Sequence, residues 1–242
     1  MLALVGSGEY LPGMDPVDRY LLAQLEGEPR VVVLPTAAGT EGPERIEYWM
    51  DLGVQHFSGL GVPVEAVEIV TRAHAHEPRL VEPILSANFV YLSGGKPEYL
   101  YKVLEGTKTW EAILAVHQRG GVVAGCSAGA MIMGTRVLGM LSSTPGFDLL
   151  PETVIMPHFD EFGGWMRRLA RMQARQYRLV GVDGDTALVV HAGEERVVGS
   201  RHVTVIESAG ERIYAGGEII RGGKTIDLSD KDGSPEEPAE ED

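Results

Sequence analysis

The sequence predicts an α/β fold: a doubly wound, mostly parallel sheet flanked by helices, with a short C-terminal antiparallel β segment. Three observations predict it. Short apolar runs bounded by turn residues recur along the chain, as strands buried on both faces do. Stretches with helical patterning, most of them opened or closed by Pro or Gly, fill the gaps between those runs. After Val190 the texture changes to short β-like pieces separated by glycines, which reads as an antiparallel meander.

Taken in order, strands are expected at Leu2–Val5, Arg30–Pro35, Val64–Ile69, Phe89–Leu92, Gly121–Ala124 and Thr186–Val190. Helices are expected at Pro16–Leu25, Pro43–Leu60, Glu98–Leu104, Trp110–Arg119 and Gly164–Tyr177. The β-like pieces are Val197–Val198, His202–Glu207, Arg212–Tyr214 and Glu218–Ile220. Such alternation makes one α/β domain over residues 1–226, and the length of 242 residues leaves no room for a second full domain.

The formal charge of −14 is unevenly placed. Residues 227–242 hold eight acidic side chains and one lysine, a net −7, with almost no large apolar residue. This segment is expected to be a disordered acidic tail. No basic stripe offers a footprint for nucleic acid, and the negative balance opposes it. No apolar run reaches the roughly 18 residues that a membrane span needs, and the first residues carry no basic leader. The lone cysteine, Cys126, excludes an intrachain disulfide and multi-cysteine metal sites, so a cytoplasmic protein is expected.

The sharpest local signal is Gly121-Val-Val-Ala-Gly125-Cys126-Ser127-Ala128-Gly129-Ala130-Met131. A buried-strand pattern runs into G-x-S-x-G and then into a helix-forming stretch, which is the layout of a nucleophile elbow. The turn forces Ser127 into a strained conformation, so small residues are needed on either side of it. The Ala128 amide at the start of the following helix would supply one oxyanion donor. A second glycine turn, Leu92-Ser-Gly94-Gly95-Lys96-Pro97, closes another strand on the same sheet edge. Its Gly95 or Lys96 amide would supply the other.

A serine nucleophile needs a base, and seven histidines compete for that role. His74 and His76 lie in a polar loop, His56 and His117 in expected helices, and His191 and His202 in the C-terminal β segments. His158 ends the apolar run Val154-Ile-Met-Pro157 and can emerge at the sheet edge where Ser127 stands. Cys126, one place before the apex, should point into the core as a small hydrophobe.

Four segments in the same order resemble the peptidase E and cyanophycinase family of serine peptidases, whose fold is similar to class I glutamine amidotransferases. They are the Leu92–Gly95 turn, the Gly125–Ala130 elbow, Pro145–Leu150 leading to His158-Phe159, and Gly181-Val-Asp-Gly-Asp-Thr186-Ala187. The resemblance implies Ser127 as nucleophile, His158 as base, and the Gly95 and Ala128 amides as the oxyanion hole. It implies cleavage of a small peptide or amide through an acyl-enzyme, without cofactor or metal, and by analogy a homodimer.

The chain also departs from that family. The glutamate that orients histidine in relatives is replaced by Gly184, which leaves Asp183 and Asp185 as candidate acids. Phe162 and Gly164 stand where relatives carry substrate-binding arginines, so Arg167 or Arg168 is left for that role. Lys96, with Pro97, replaces residues that help to hold substrate. These losses support a second reading, a non-catalytic binding or regulatory protein that kept the elbow for architecture.

Overall fold

Five parallel strands lie side by side in one sheet. They are β1 (Leu2–Val5), β2 (Val31–Leu34), β3 (Val64–Ala66), β4 (Phe89–Leu92) and β5 (Val122–Cys126). Four of them alternate their side chains between two buried layers, and β3 lies at the edge with Glu65 exposed. In β1, Leu2 and Leu4 face one core while Ala3 and Val5 face the other; Val32 and Leu34 oppose Val31 and Val33 in β2. This two-sided burial is why the strands read as continuous apolar runs in the sequence. The computed structural model describes residues 1–138, 143–173 and 176–220. The acidic segment 227–242 and the end of the expected 1–226 domain lie outside the described residues.

Two helices cover one face, α1 (Asp15–Leu22) and α2 (Pro43–Gly59), contributing Val17, Leu21 and Phe57 to the core beneath them. The opposite face receives α3 (Pro78–Ser86), α4 (Pro97–Leu104), α5 (Lys108–Gln118) and the short α6 (Ala128–Met131). Helix α3 was not expected from the sequence. Its prolines, Pro78 at the start and Pro83 inside, mask an apolar face made by Val81 and Ile84.

After α6 the chain forms a two-stranded pair, β6 (Arg136–Leu138) and β7 (Ser143–Pro145), and then β8 (Thr153–Met156). Helix α7 (Gly164–Gln173) occupies the N-terminal part of the expected Gly164–Tyr177 helix. The remaining strands are β9 (Arg178–Val182), β10 (Thr186–His191), β11 (Glu194–Gly199), β12 (His202–Glu207), β13 (Gly210–Ala215) and β14 (Ile219–Ile220).

The main sheet runs β14-β11-β10-β1-β5-β4-β2-β3, and its β1, β5, β4, β2 and β3 are mutually parallel. Strand β10 lies antiparallel to β1, which corrects its expected place among the parallel strands. The C-terminal strands do not form one meander either. Strands β11 and β14 extend the main sheet, while β12 and β13 join β9 and β8 in a second sheet ordered β13-β12-β9-β8. Two-sheet partition is invisible to local periodicity, because it depends on which distant strand offers a free edge.

Three consecutive positions of the main sheet, β1-β5-β4, bring the Gly6–Tyr10 loop, the β5–α6 turn and the Ser93–Lys96 loop to one edge. The close fit there depends on glycine. A Cβ on Gly125 would lie 2.4 Å from the carbonyl of Gly129, and one on Gly129 would lie 2.5 Å from the Leu92 oxygen. Replacing either by alanine is expected to cost about 2 to 3 kcal/mol through forced backbone shifts, read from urea unfolding midpoints.

Candidate active site

The turn from β5 into α6 holds Ser127 at φ 49° and ψ −107°, a conformation that side-chain-bearing residues seldom adopt. Its amide donates to the Val5 carbonyl at 3.0 Å, which ties the apex to the end of β1. Across the gap, His158 Nε2 lies 3.1 Å from Ser127 Oγ. His158 reaches this place from the second sheet: it follows β8 and takes a left-handed conformation, φ 53° and ψ 34°, that turns its ring back toward the elbow. The next residue, Phe159, is buried against Gly181 of β9, where any Cβ would meet the ring at 2.4 Å.

The Ser93–Lys96 loop packs beside the elbow, so that a Cβ on Gly94 would lie 3.6 Å from Ser127 Cβ. Gly95 has φ +141°, and a side chain there would collide with the Ala37 carbonyl at 2.5 Å. The Lys96 amide is spent on the Ala37 oxygen at 2.9 Å, which leaves the Gly95 amide as the donor this loop has to offer. Ala128 begins α6, and its N–H stands ahead of the helical hydrogen-bond ladder. Ser127 thus stands at a strained turn with an imidazole at hydrogen-bond distance, beside the Gly94-Gly95 turn and at the start of α6.

The sequence pattern of peptidase family S51 matches residues 2–198. The chain belongs to peptidase family S51. A peptidase from an acI-B1 Actinobacterium is 36% identical over 90% of this chain and 95% of its own, with a TM-score of 0.82. A putative peptidase E from Listeria monocytogenes EGD-e shares the fold at a TM-score of 0.58 and 18% identity, covering 88% of this chain and 97% of its own. No curated protein matches the chain.

Within this S51 peptidase fold, the two candidate acids do not approach His158. Asp183 Oδ2 accepts the His202 amide at 3.2 Å and lies 3.5 Å from His202 Nδ1. Asp185, itself at φ 50°, carries its carboxylate over Gly8 and Gly13, 2.5 Å and 2.8 Å from where their Cβ atoms would be. A carboxylate at ion-pair distance from the His158 ring is that of Glu161, 3.8 Å from Nδ1. At position 184 a Cβ would sit 2.9 Å from Ser7 Oγ, while the Gly184 amide donates to Asp160 at 2.9 Å. Ser7 Oγ is thus the close neighbour of any residue-184 side chain, with the Asp160 carboxylate at 3.9 Å.

Of the expected substrate-binding cations, one is engaged within the protein. Arg167 lies 4.7 Å over the Phe159 ring and donates to the Phe159 and Phe162 carbonyls, so it clamps the turn behind His158. Arg168 is exposed on α7, and Lys96 is exposed at the N-terminus of α4. Cys126 is fully buried in the core facing α1 and α2. Burial pushes its thiol well up, and the charge of Glu9 adds to this, so it stays protonated.

Glu9 is the residue that sequence reasoning missed. Its buried carboxylate accepts the Gly94 amide at 2.9 Å on one oxygen and the Cys126 thiol at 2.8 Å on the other. It thereby couples the Gly94-Gly95 turn to the strand that carries the nucleophile. Among the described residues no group of three His, Cys, Asp or Glu side chains gathers as a metal site.

Two outcomes follow from this geometry. Glu9→Ala leaves two buried donors without acceptors and should cost about 1–3 kcal/mol in thermal or urea unfolding, whereas Glu9→Gln retains part of that stability. Burial, and then the charge of Asp160, raise the Asp183 carboxyl above its ordinary range. The folded state therefore holds that proton more tightly than the unfolded state. The resulting stability is present in acid and is lost as pH rises through the raised value, a slope that Asp183→Asn should remove from a stability–pH curve.

Proposed function

We propose that this S51 chain is a serine-type peptidase that cleaves a small peptide, or a related amide, through an acyl-enzyme on Ser127. The observation that carries the reading is the 3.1 Å approach of His158 Nε2 to Ser127 Oγ at a positive-φ turn. A serine hydroxyl is almost wholly protonated at neutral pH and needs a base within hydrogen-bond reach. In the proposed cycle Ser127 Oγ attacks the scissile carbonyl while His158 Nε2 takes its proton. The Gly95 and Ala128 amides hold the oxyanion as it forms. His158 then protonates the leaving amine, and water activated by the same imidazole releases the acyl group. Every group in this cycle belongs to the chain itself, and the chemistry calls on no metal or organic cofactor.

Membership of the peptidase family supports a peptide substrate, and the cations bear on which side chains it carries. With Arg167 committed to Phe159 and the carbonyls beside it, a clamp for an acidic peptide side chain would fall to Arg168 or Lys96. The reading therefore names a peptide bond without a required aspartate. No described helix is long and apolar enough to cross a membrane.

A fluorophosphonate probe tests the nucleophile. The native protein should be labelled on Ser127, Ser127→Ala should not be labelled, and His158→Gln should slow labelling by on the order of 10²–10⁴. Equal labelling of the native protein and Ser127→Ala would sink the proposal. The alternative of a non-catalytic binding protein draws support from Gly184, and it falls if peptide turnover is found that Ser127→Ala abolishes.

A further inference from the structure

We propose that Glu161 is the positioning carboxylate for His158, so that the acid of this site stands on the turn following the histidine. The inference rests on the reading of Ser127 and His158 as nucleophile and base. A neutral imidazole carries one N–H, and if Nε2 is to accept the Ser127 proton, that hydrogen must sit on Nδ1. The carboxylate facing Nδ1 is Glu161, with Oε1 at 3.8 Å. Closing this gap to the roughly 2.8 Å of a charge-assisted hydrogen bond requires only side-chain rotation by an exposed glutamate, and catalytic contacts commonly tighten when substrate binds.

The backbone that carries Glu161 is held from several directions. The Glu161 amide donates to the His158 carbonyl at 3.0 Å, which fixes the two residues on one 3-10 turn. Asp160, between the two, accepts the Gly184 amide at 2.9 Å and pairs with Arg201. Phe159 is seated on Gly181, and Arg167 stacks on its other side while bonding the turn's carbonyls. Position 184 has thus become an anchor for the turn through its amide.

The other charged groups named at this site are placed elsewhere. Asp160 faces Arg201, Asp183 faces His202, Arg167 faces Phe159, Asp185 lies over Gly8 and Gly13, and Glu9 is buried behind Gly94. Glu161 is 70% exposed at its side chain, so its effect on the imidazolium is subject to salt. That dependence separates it from a structural role.

The test is the pH dependence of fluorophosphonate labelling at Ser127 in the full-length protein, at low and high salt, for the native chain, Glu161→Gln and Glu161→Asp. Glu161→Gln should label about tenfold more slowly at neutral pH, a small share of the roughly 10⁴ seen for a buried triad acid. Its pH midpoint should lie below that of the native protein, since it lacks a negative charge beside the ring. Raising salt should shift the native midpoint in the same direction and leave that of Glu161→Gln in place, and Glu161→Asp should recover part of the rate. A native midpoint insensitive to salt overturns the inference without reference to any variant. So does a Glu161→Gln profile equal to the native one, or a larger rate loss in Asp183→Asn or Asp185→Asn at unchanged melting temperature; in each case labelled Ser127 keeps the parent reading intact. Absence of Ser127 labelling in the native protein overturns both.

Discussion

The backbone of Ser127 is the constraint on which the rest of the site depends. A residue with a side chain held at φ 49° costs on the order of 1–3 kcal/mol, and it persists only where its surroundings leave no alternative. Here β5 lies between β1 and β4 in the parallel array, α6 starts at Ala128, and the amide of Ser127 is tied to β1. Gly125 and Gly129 let strand, turn and helix approach to distances that no Cβ would allow. The same closeness brings Gly94 against the serine, with the Gly95 amide of the proposed oxyanion hole in the same turn.

His158 arrives from elsewhere in the chain and from another sheet. The parallel pairing of β8 with β9, from Thr153 with Arg178 to Met156 with Gly181, fixes where β8 ends. Phe159 on Gly181 then converts that register into a ring position. Seen this way, the hydrogen-bonding distance between residues 127 and 158 is a product of two sheets packing together, with Val180, Val182, Val203 and Val205 of the second sheet sharing the core that lies under α6. The supports of the serine and the histidine are core residues, whereas the Glu161 carboxylate proposed to orient the ring is exposed.

Legibility in the sequence followed locality. The elbow was readable because strand, glycines and helix are consecutive, and the parallel strands because burial on both faces gives continuous apolar runs. Strands β8 and β9 were not read as such: one is four residues ending before a proline, and the other contains Gly181. Choosing His158 among seven histidines needed the family resemblance, since nothing in its neighbours announces a left-handed turn. The acid was sought at Asp183 and Asp185 because they flank Gly184 in sequence. In the fold those two carboxylates serve His202 and the Gly8–Gly13 region, while Glu161, three residues after the histidine, faces the ring. Glu9 was overlooked for a related reason: a glutamate in a Gly-Ser-Gly turn reads as solvent-facing until β4 and β5 close over it.

The most direct measurement of the central claim is a crystal structure of the protein inactivated by a fluorophosphonate. The account predicts phosphorus bonded to Ser127 Oγ, a phosphonyl oxygen within hydrogen-bond distance of both the Gly95 and Ala128 amides, and His158 Nε2 still beside Oγ. An adduct on another residue, or a phosphonyl oxygen turned away from both amides, would contradict it.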